Sequence, residues 1–277
     1  MERAGHKCIG YCEIDKYARA SYQAIHDTEG EIDYKDITEV TDEEFRKLRG
    51  KVDIICGGFP CQAFSIAGKQ LGFEDTRGTL FYEIARATEQ IKPRYLFLEN
   101  VRNLLSHDKG KAFERMLKIL DELGYDAEWQ MLNSKNFGVP QNRERVFIIA
   151  HLRGERTYRV FPIRGENKEF NTNGEINQVG NIGKSDNFGG NPQVTRVYDV
   201  NGISPTLNTM QGGGREPKIL LDNKIRKLTP RECWRLQGFP DWAFDKAQEL
   251  NSNSQLYKQA GNSVTVNVIE EIAKRIK

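Results

Sequence analysis

From residue 7 to residue 151, short runs of β-branched and aromatic residues alternate with longer stretches of helical period, and this rhythm constrains the fold more than any other feature. The runs Cys8–Glu13, Val52–Cys56, Tyr95–Glu99, Ala127–Asn133 and Arg145–Ala150 predict strands, with helices over 15–26, 41–49, 79–91 and 108–123 between them. Each apolar run suits burial on both faces. The expected architecture is therefore α/β, a mainly parallel sheet with helices on both faces. Gly124 marks the C-cap of the helix that ends at Leu123.

Beyond residue 154 the texture changes. Residues 155–227 contain 10 Gly and 10 Asn and hold no sustained period, which reads as loops and short strands, either a flexible insertion or a smaller irregular domain. Helical pattern resumes at Thr229-Pro230-Arg231-Glu232, where Thr229 caps, Pro230 suits the first turn and Glu232 completes a capping box. A last helix is expected from Asn262-Ser263 through Val264, Val268, Ile269, Ile272 and Ile276, with its apolar face on the sheet. The chain thus divides into 1–154, 155–227 and 228–277.

A formal net charge of +2 does not announce a nucleic-acid partner through bulk electrostatics. Its excess falls in 155–227, with 11 Lys/Arg against 8 Asp/Glu. Apolar stretches such as Val146 to Ala150 are far too short to cross a bilayer, and the opening Met1 to Lys7 has no signal-peptide core. The expectation is a cytoplasmic protein with no membrane partner. The five cysteines, at 8, 12, 56, 61 and 233, form no paired CxxC framework, so free thiols and no metal site are expected.

In open α/β sheets, ligands bind beyond the carboxyl ends of the strands. Three such ends carry unusual groups: Glu13, the run Gly57-Gly58-Phe59-Pro60-Cys61-Gln62, and Glu99-Asn100. A strand-end carboxylate such as Glu13 can accept both hydroxyl protons of a ribose, or can simply be solvated. The glycines allow close backbone approach, the proline stiffens the turn, and the Cys61 thiol then projects where a substrate can reach it. Cys56 instead sits within a strand, as a structural cysteine does.

Gly58-Phe59-Pro60-Cys61-Gln62-Ala63-Phe64-Ser65 resembles the catalytic loop of the cytosine-C5 DNA methyltransferases. Other blocks follow in the family's order. Glu99-Asn100-Val101 resembles its ENV motif and Gln141-Asn142-Arg143-Glu144-Arg145 its QxRxR motif. Arg231 to Pro240 and Gln259 to Val264 resemble the two closing motifs.

The resemblance implies a Rossmann-like methyltransferase that uses S-adenosylmethionine, with 155–227 as its target-recognition region and double-stranded DNA as its partner. A cognate restriction endonuclease would act on the same site. Cys61 would attack carbon 6 of a flipped cytosine, and Glu99 would stabilise charge at ring nitrogen 3. Arg145 and Arg143 would hold the base carbonyl or a nearby phosphate. The resemblance gives Glu13 to the cofactor ribose, Ile14 to an adenine face and Asp36-Ile37 to the adenine edge. Gly58, Pro60, Leu80 and Asn262 complete that pocket, and Asn262 also suits a helix cap. Thr206-Leu207 resembles the family's recognition-region pair, and Arg215 with the glycine run 212–214 suits approach to a groove.

Family members also open with a strand and a glycine-rich FxGxG loop, which has no counterpart ahead of Glu13 here. A strand-end acid lies about 20 residues beyond such a loop. The expectation is a chain that starts within the first helix and is a poor enzyme as it stands, from a mis-assigned start, a degenerate gene, or a segment supplied by another chain. Two other readings remain: a transfer-RNA cytosine methyltransferase using the same thiol chemistry, and a non-catalytic DNA-binding homologue.

Overall fold

Parallel pairing organises the first part of the chain and antiparallel pairing the next. In the computed structural model, residues 1–60, 80–165, 174–183, 193–210 and 214–277 are described. β1 (Gly10–Cys12) runs parallel to β2 (Ile32–Tyr34), and α1 (Lys16–Ile25) crosses between them. Asp15 caps α1 by accepting from the amides of Tyr17 and Ala18, which sets where the helix begins. After α2 (Asp42–Arg46), β3 (Ile54–Gly58) leads to α3 (Leu80–Ile91) and the parallel β4 (Tyr95–Val101). α4 (Lys111–Glu122), β5 (Tyr125–Asn133) and β6 (Glu144–Leu152) complete a four-stranded sheet of order β3-β4-β6-β5.

The expected parallel character holds only for β1 with β2 and β3 with β4. β6 is antiparallel to both its neighbours. The short connection 134–143 between β5 and β6 explains this, because a parallel crossover needs a dozen or more residues. β2 was not legible in the sequence: it is three residues long, mostly exposed, and shows no apolar alternation.

Side chains of β4 and β6 alternate between two cores, as a pleated strand covered on both faces requires. Leu96, Leu98, Val146, Ile148 and Ala150 pack with Phe81 and Ile84 of α3 and Met116 and Leu120 of α4. Tyr95, Phe97, Phe147 and Ile149 face the other way, onto Val268 and Ile272 of α8 (Val266–Ala273). The closing helix therefore packs on the sheet as expected, but it starts later. Asn262 ends α7 (Asn253–Asn262), Ser263 is extended, and Thr265 rather than Asn262-Ser263 precedes α8. The β-branched run Val264-Thr265-Val266 disfavours a continuous helix there.

The region after 154 contains a second four-stranded sheet, of order β10-β9-β8-β7, from β7 (Gln178–Asn181), β8 (Arg196–Asp199), β9 (Lys218–Leu221) and β10 (Lys224–Lys227). A third core joins it to the closing segment. Leu207, Met210 and Leu228 pack with Cys233 and Trp234 of α5 (Pro230–Leu236), Phe244 of α6 (Asp241–Gln248), and Leu256 and Ala260 of α7. The segments 155–227 and 228–277 thus share a core.

α5 begins with the expected capping box: Thr229 accepts from the Glu232 amide, and Glu232 accepts from Thr229. Arg226 also donates twice to Glu232, at 2.9 and 2.7 Å, and this pairing leads the effects that hold the carboxyl down at about 2 against an ordinary 4.5. Because the folded state binds this proton less readily, its contribution to stability is full above about 4.5 and is lost as pH falls toward about 2. Acid unfolding of Glu232→Gln, followed by circular dichroism, is expected to show a shallower loss of stability across that window.

Among the described residues, β1 pairs only with β2 and β3 only with β4, so each presents a second edge without a strand partner. Cys56 lies on β3. Its side chain is exposed, and the surrounding protein pushes its thiol up to about 11.

Candidate active site

The carboxyl ends of β3 and β4 lie side by side, with Gly58 paired opposite Glu99. A Cβ on Gly58 would sit 3.2 Å from Glu99 Oε2, so a side chain there would push the carboxylate aside by a few tenths of an ångström. Beyond it, Phe59 is buried against Phe81 with ring centroids 5.0 Å apart. Its carbonyl accepts from Asn100 Nδ2 at 2.7 Å, and Asn100 Oδ1 takes the Val101 amide. Asn100 is buried and satisfied by these bonds, and it ties the start of the Phe59-Pro60 turn to β4. The sequence offered it only as part of a motif. A polar residue following an acid at a buried strand end was the available signal. Cys61 itself, with 62–79, lies outside the described residues, so the geometry reaches Pro60 and resumes at Leu80.

Glu99 and Arg145 form an ion pair, Nε to Oε1 at 2.9 Å, with both side chains largely enclosed. Burial pushes the Glu99 carboxyl above its ordinary value even though Arg145 and Arg143 both pull it down. Desolvation wins because the carboxyl itself is largely enclosed. The same burial lowers both arginines, Arg143 to about 9, which leaves them charged at neutral pH. The result is a carboxyl raised above the ordinary glutamate range while ion-paired with Arg145.

Arg143 is oriented away from solvent. Its Nη1 donates to Leu207 O at 3.1 Å, and its Nη2 donates to Gly261 O at 3.0 Å and Ser263 O at 2.9 Å. Gln141 Oε1 accepts from the Leu207 amide and its Nε2 donates to Leu236 O, while Thr206 Oγ1 donates to Asn142 O at 2.6 Å. The segment 141–145 therefore lies between the 206–208 segment and the closing helices. Gly261 sits where α7 meets the backbone of 208–209. A Cβ there would overlap Asn208 O and C and approach Thr209 N at 2.7 Å. Gly261→Ala is expected to cost about 3 kcal/mol or more, because the obstructing atoms are backbone and cannot rotate away. Chemical denaturation of the variant measures this.

At the end of β1, Glu13 is half-buried and its Oε1 accepts from the Asp15 amide at 2.7 Å. Ile14 follows with 73% of its surface exposed, an apolar face with no packing of its own. Asp36, beyond β2, accepts from the amide and hydroxyl of Thr38, and these bonds hold its carboxyl below the usual range. Ile37 is half-buried and its carbonyl accepts from Arg86. Gly58, Pro60, Leu80 and Asn262 are exposed. The α1 side is anchored to α7 by Lys258 to Asp15 at 2.6 Å and Ser21 to Gln259 at 2.9 Å. An acid at one strand end, an uncovered aliphatic side chain and a glycine beside the reacting carboxyl fit a nucleoside-bearing cofactor. A cavity of about 530 Å³ opens beside this centre, lined by residues including Asn133, Lys135, Asn142, Glu144 and Arg164. It does not include Glu99.

The chain belongs to the C-5 cytosine-specific DNA methylases, whose family model matches residues 1–187 and 167–277. It is 38% identical over 308 residues to the type II methyltransferase M.HhaI of Haemophilus parahaemolyticus, covering 100% of this chain and 89% of that protein. It is 36% identical to M.HpaII of Haemophilus parainfluenzae, covering 100% and 84%. The fold is also that of the Dnmt2 methyltransferase of S. pombe, at a TM-score of 0.70 and 18% identity over 99% of this chain and 92% of the other. A prophage-encoded DNA modification methyltransferase from E. coli superposes with a TM-score of 0.69 at 21% identity, covering 98% of this chain and 92% of that one. The chain is a cytosine-5 DNA methyltransferase with S-adenosylmethionine as methyl donor. Among the described residues no helix is long and apolar enough to cross a membrane, and no group of three or more His, Cys, Asp or Glu is placed to hold a metal.

Proposed function

We propose that this chain methylates carbon 5 of a cytosine flipped out of a specific duplex sequence, with Cys61 as nucleophile and Glu99 as the acid facing ring nitrogen 3. The observation that carries the reading is Glu99, buried and ion-paired with Arg145 with its carboxyl raised, one strand away from the turn that leads to Cys61. Carbon 5 of cytosine is a poor nucleophile. Addition of the Cys61 thiolate to carbon 6 breaks the ring's aromaticity and leaves an enamine, while Glu99 supplies a proton at nitrogen 3. Arg145 holds the base carbonyl, and its charge favours the anion that builds up.

S-adenosylmethionine supplies the methyl group that carbon 5 takes up. Loss of the carbon-5 proton, expulsion of the thiolate and return of the nitrogen-3 proton then restore the ring. Glu13 binds the ribose hydroxyls, Ile14 covers one adenine face, and Asp36 with Ile37 meets the adenine edge. Gly58, Pro60, Leu80 and Asn262 close the pocket.

The recognition region is 155–227, where Arg215 and the glycine run 212–214 suit approach to the groove; 211–213 lie outside the described residues. A restriction endonuclease cutting the same sequence is the partner this activity calls for.

The test is transfer of labelled methyl by this chain to unmethylated duplex DNA, with transfer RNA as the competing acceptor. Label in DNA supports the reading. Label confined to transfer RNA would redirect it to RNA, and no label in either would leave a binding homologue.

A further inference from the structure

The Arg143 side chain is almost entirely enclosed, and it spends its donors on three backbone carbonyls drawn from two distant parts of the chain. One is Leu207, in the recognition segment. The other two, Gly261 and Ser263, bracket Asn262. Its Nε has no hydrogen-bond partner among the described residues, and no carboxylate is bonded to it. Glu99 acts on it only through space. A buried cation held by carbonyls alone is sensitive to where those carbonyls sit, because each lost bond leaves a charged donor without compensation.

The joint around it is equally specific. Gln141 grips the Leu207 amide and the Leu236 carbonyl, and Thr206 grips the Asn142 carbonyl. Gln237 donates to Ala260 O at 2.7 Å and accepts from Thr265, whose hydroxyl is bonded to Ser134. Backbone at 208–209 presses on Gly261 with no room for a methyl group. The 206–209 segment and the 260–263 turn therefore cannot move independently of each other.

We propose that Arg143 is a positioning residue that couples DNA binding to cofactor binding. This rests on the reading that 206–207 belongs to the DNA side and Asn262 to the cofactor side. DNA that fixes the 206–207 segment also fixes Leu207 O. That orders the guanidinium and, through Gly261 O and Ser263 O, the placement of Asn262. By thermodynamic reciprocity, cofactor at Asn262 then tightens DNA binding by the same factor.

The measurement is the dissociation constant of S-adenosylhomocysteine, with and without unmethylated duplex DNA, for the wild-type chain, R143M, R143K and T206V. Amide hydrogen exchange at 259–264 is followed in parallel. DNA is expected to tighten wild-type binding of S-adenosylhomocysteine by about 5- to 150-fold and to slow exchange at 259–264. In R143M the tightening falls toward one-fold. R143K, which keeps one charged donor, retains part of it. T206V loosens the same joint without removing the buried charge, so it reports even where R143M does not fold.

A merely structural Arg143 would weaken both affinities in parallel and leave their ratio unchanged. That result, or a wild-type ratio of one with no slowed exchange on bound DNA, overturns the proposal. A wild-type chain that binds neither ligand removes the functional reading itself, and the coupling with it.

Discussion

Cys61→Ala is expected to lower methyl transfer to duplex DNA by on the order of 10⁴-fold or more, with duplex affinity largely retained. The size follows from the chemistry of the base. Without a bond at carbon 6, carbon 5 carries no enamine density, so no arrangement of the remaining residues restores a nucleophile there. Glu99 and Arg145 would still hold the ring, and the recognition segment would still meet the duplex. A binding module would show the opposite pattern, with nothing lost on removing the thiol. Single-turnover transfer measured beside duplex binding separates the two. Equal transfer rates for wild type and Cys61→Ala would remove Cys61 from the mechanism.

Glu99→Gln is expected to reduce turnover by about 10²- to 10⁴-fold, the range for loss of a positioned acid. Its amide fills the same space but cannot pass a proton to nitrogen 3, and it leaves Arg145 without its 2.9 Å partner. The pH dependence carries a sign. Burial raises the Glu99 carboxyl, so the protonated form persists to higher pH than in an ordinary glutamate and is lost as pH rises through that raised value. The wild-type rate of the chemical step should therefore fall on the alkaline side. Glu99→Gln should lose that limb while keeping any that belongs to the thiol. A limb unchanged in the variant would assign it to another group.

Much of this was legible before any coordinates. Strands at Tyr95, Ala127 and Arg145 were marked by β-branched and aromatic runs, and they form where the pattern places them, β4 and β6 buried on both faces and β5 partly exposed at the sheet edge. The α5 start was legible to the residue, since Thr229, Pro230 and Glu232 each satisfy a local requirement of a helix N-terminus. Strand direction was not. Nothing local in Arg145 to Ala150 distinguishes a parallel strand from an antiparallel one, and the deciding fact is the short connection before it. β2 escaped because three exposed residues carry no period. The start of the last helix was misplaced for a related reason: its apolar spacing runs back through Val264, and only the extended Ser263 shows that the helix begins later, after Thr265.

At the site, the resemblance supplied the residues and the structure supplied their relations. Arg143 and Arg145 look equivalent in sequence, two residues apart in one motif. In the fold, alternation along an extended segment separates them: Arg145 turns to Glu99, while Arg143 turns to the carbonyls of Leu207, Gly261 and Ser263. Asn100 was legible only as a letter of a motif. Its work, holding the carbonyl of Phe59, depends on two strands meeting in register, which no single segment encodes.

The most direct test of the central claim is to incubate the chain, with S-adenosylmethionine, on duplex DNA carrying 5-fluorocytosine. Fluorine stands where the carbon-5 proton must leave, so the thiolate cannot be expelled after methyl transfer and the adduct persists. The account predicts a denaturation-resistant protein–DNA adduct whose peptide attachment maps to Cys61 and which is absent in Cys61→Ala. Methyl transfer to unsubstituted DNA with no trapped adduct, or an adduct that survives in Cys61→Ala, would contradict it.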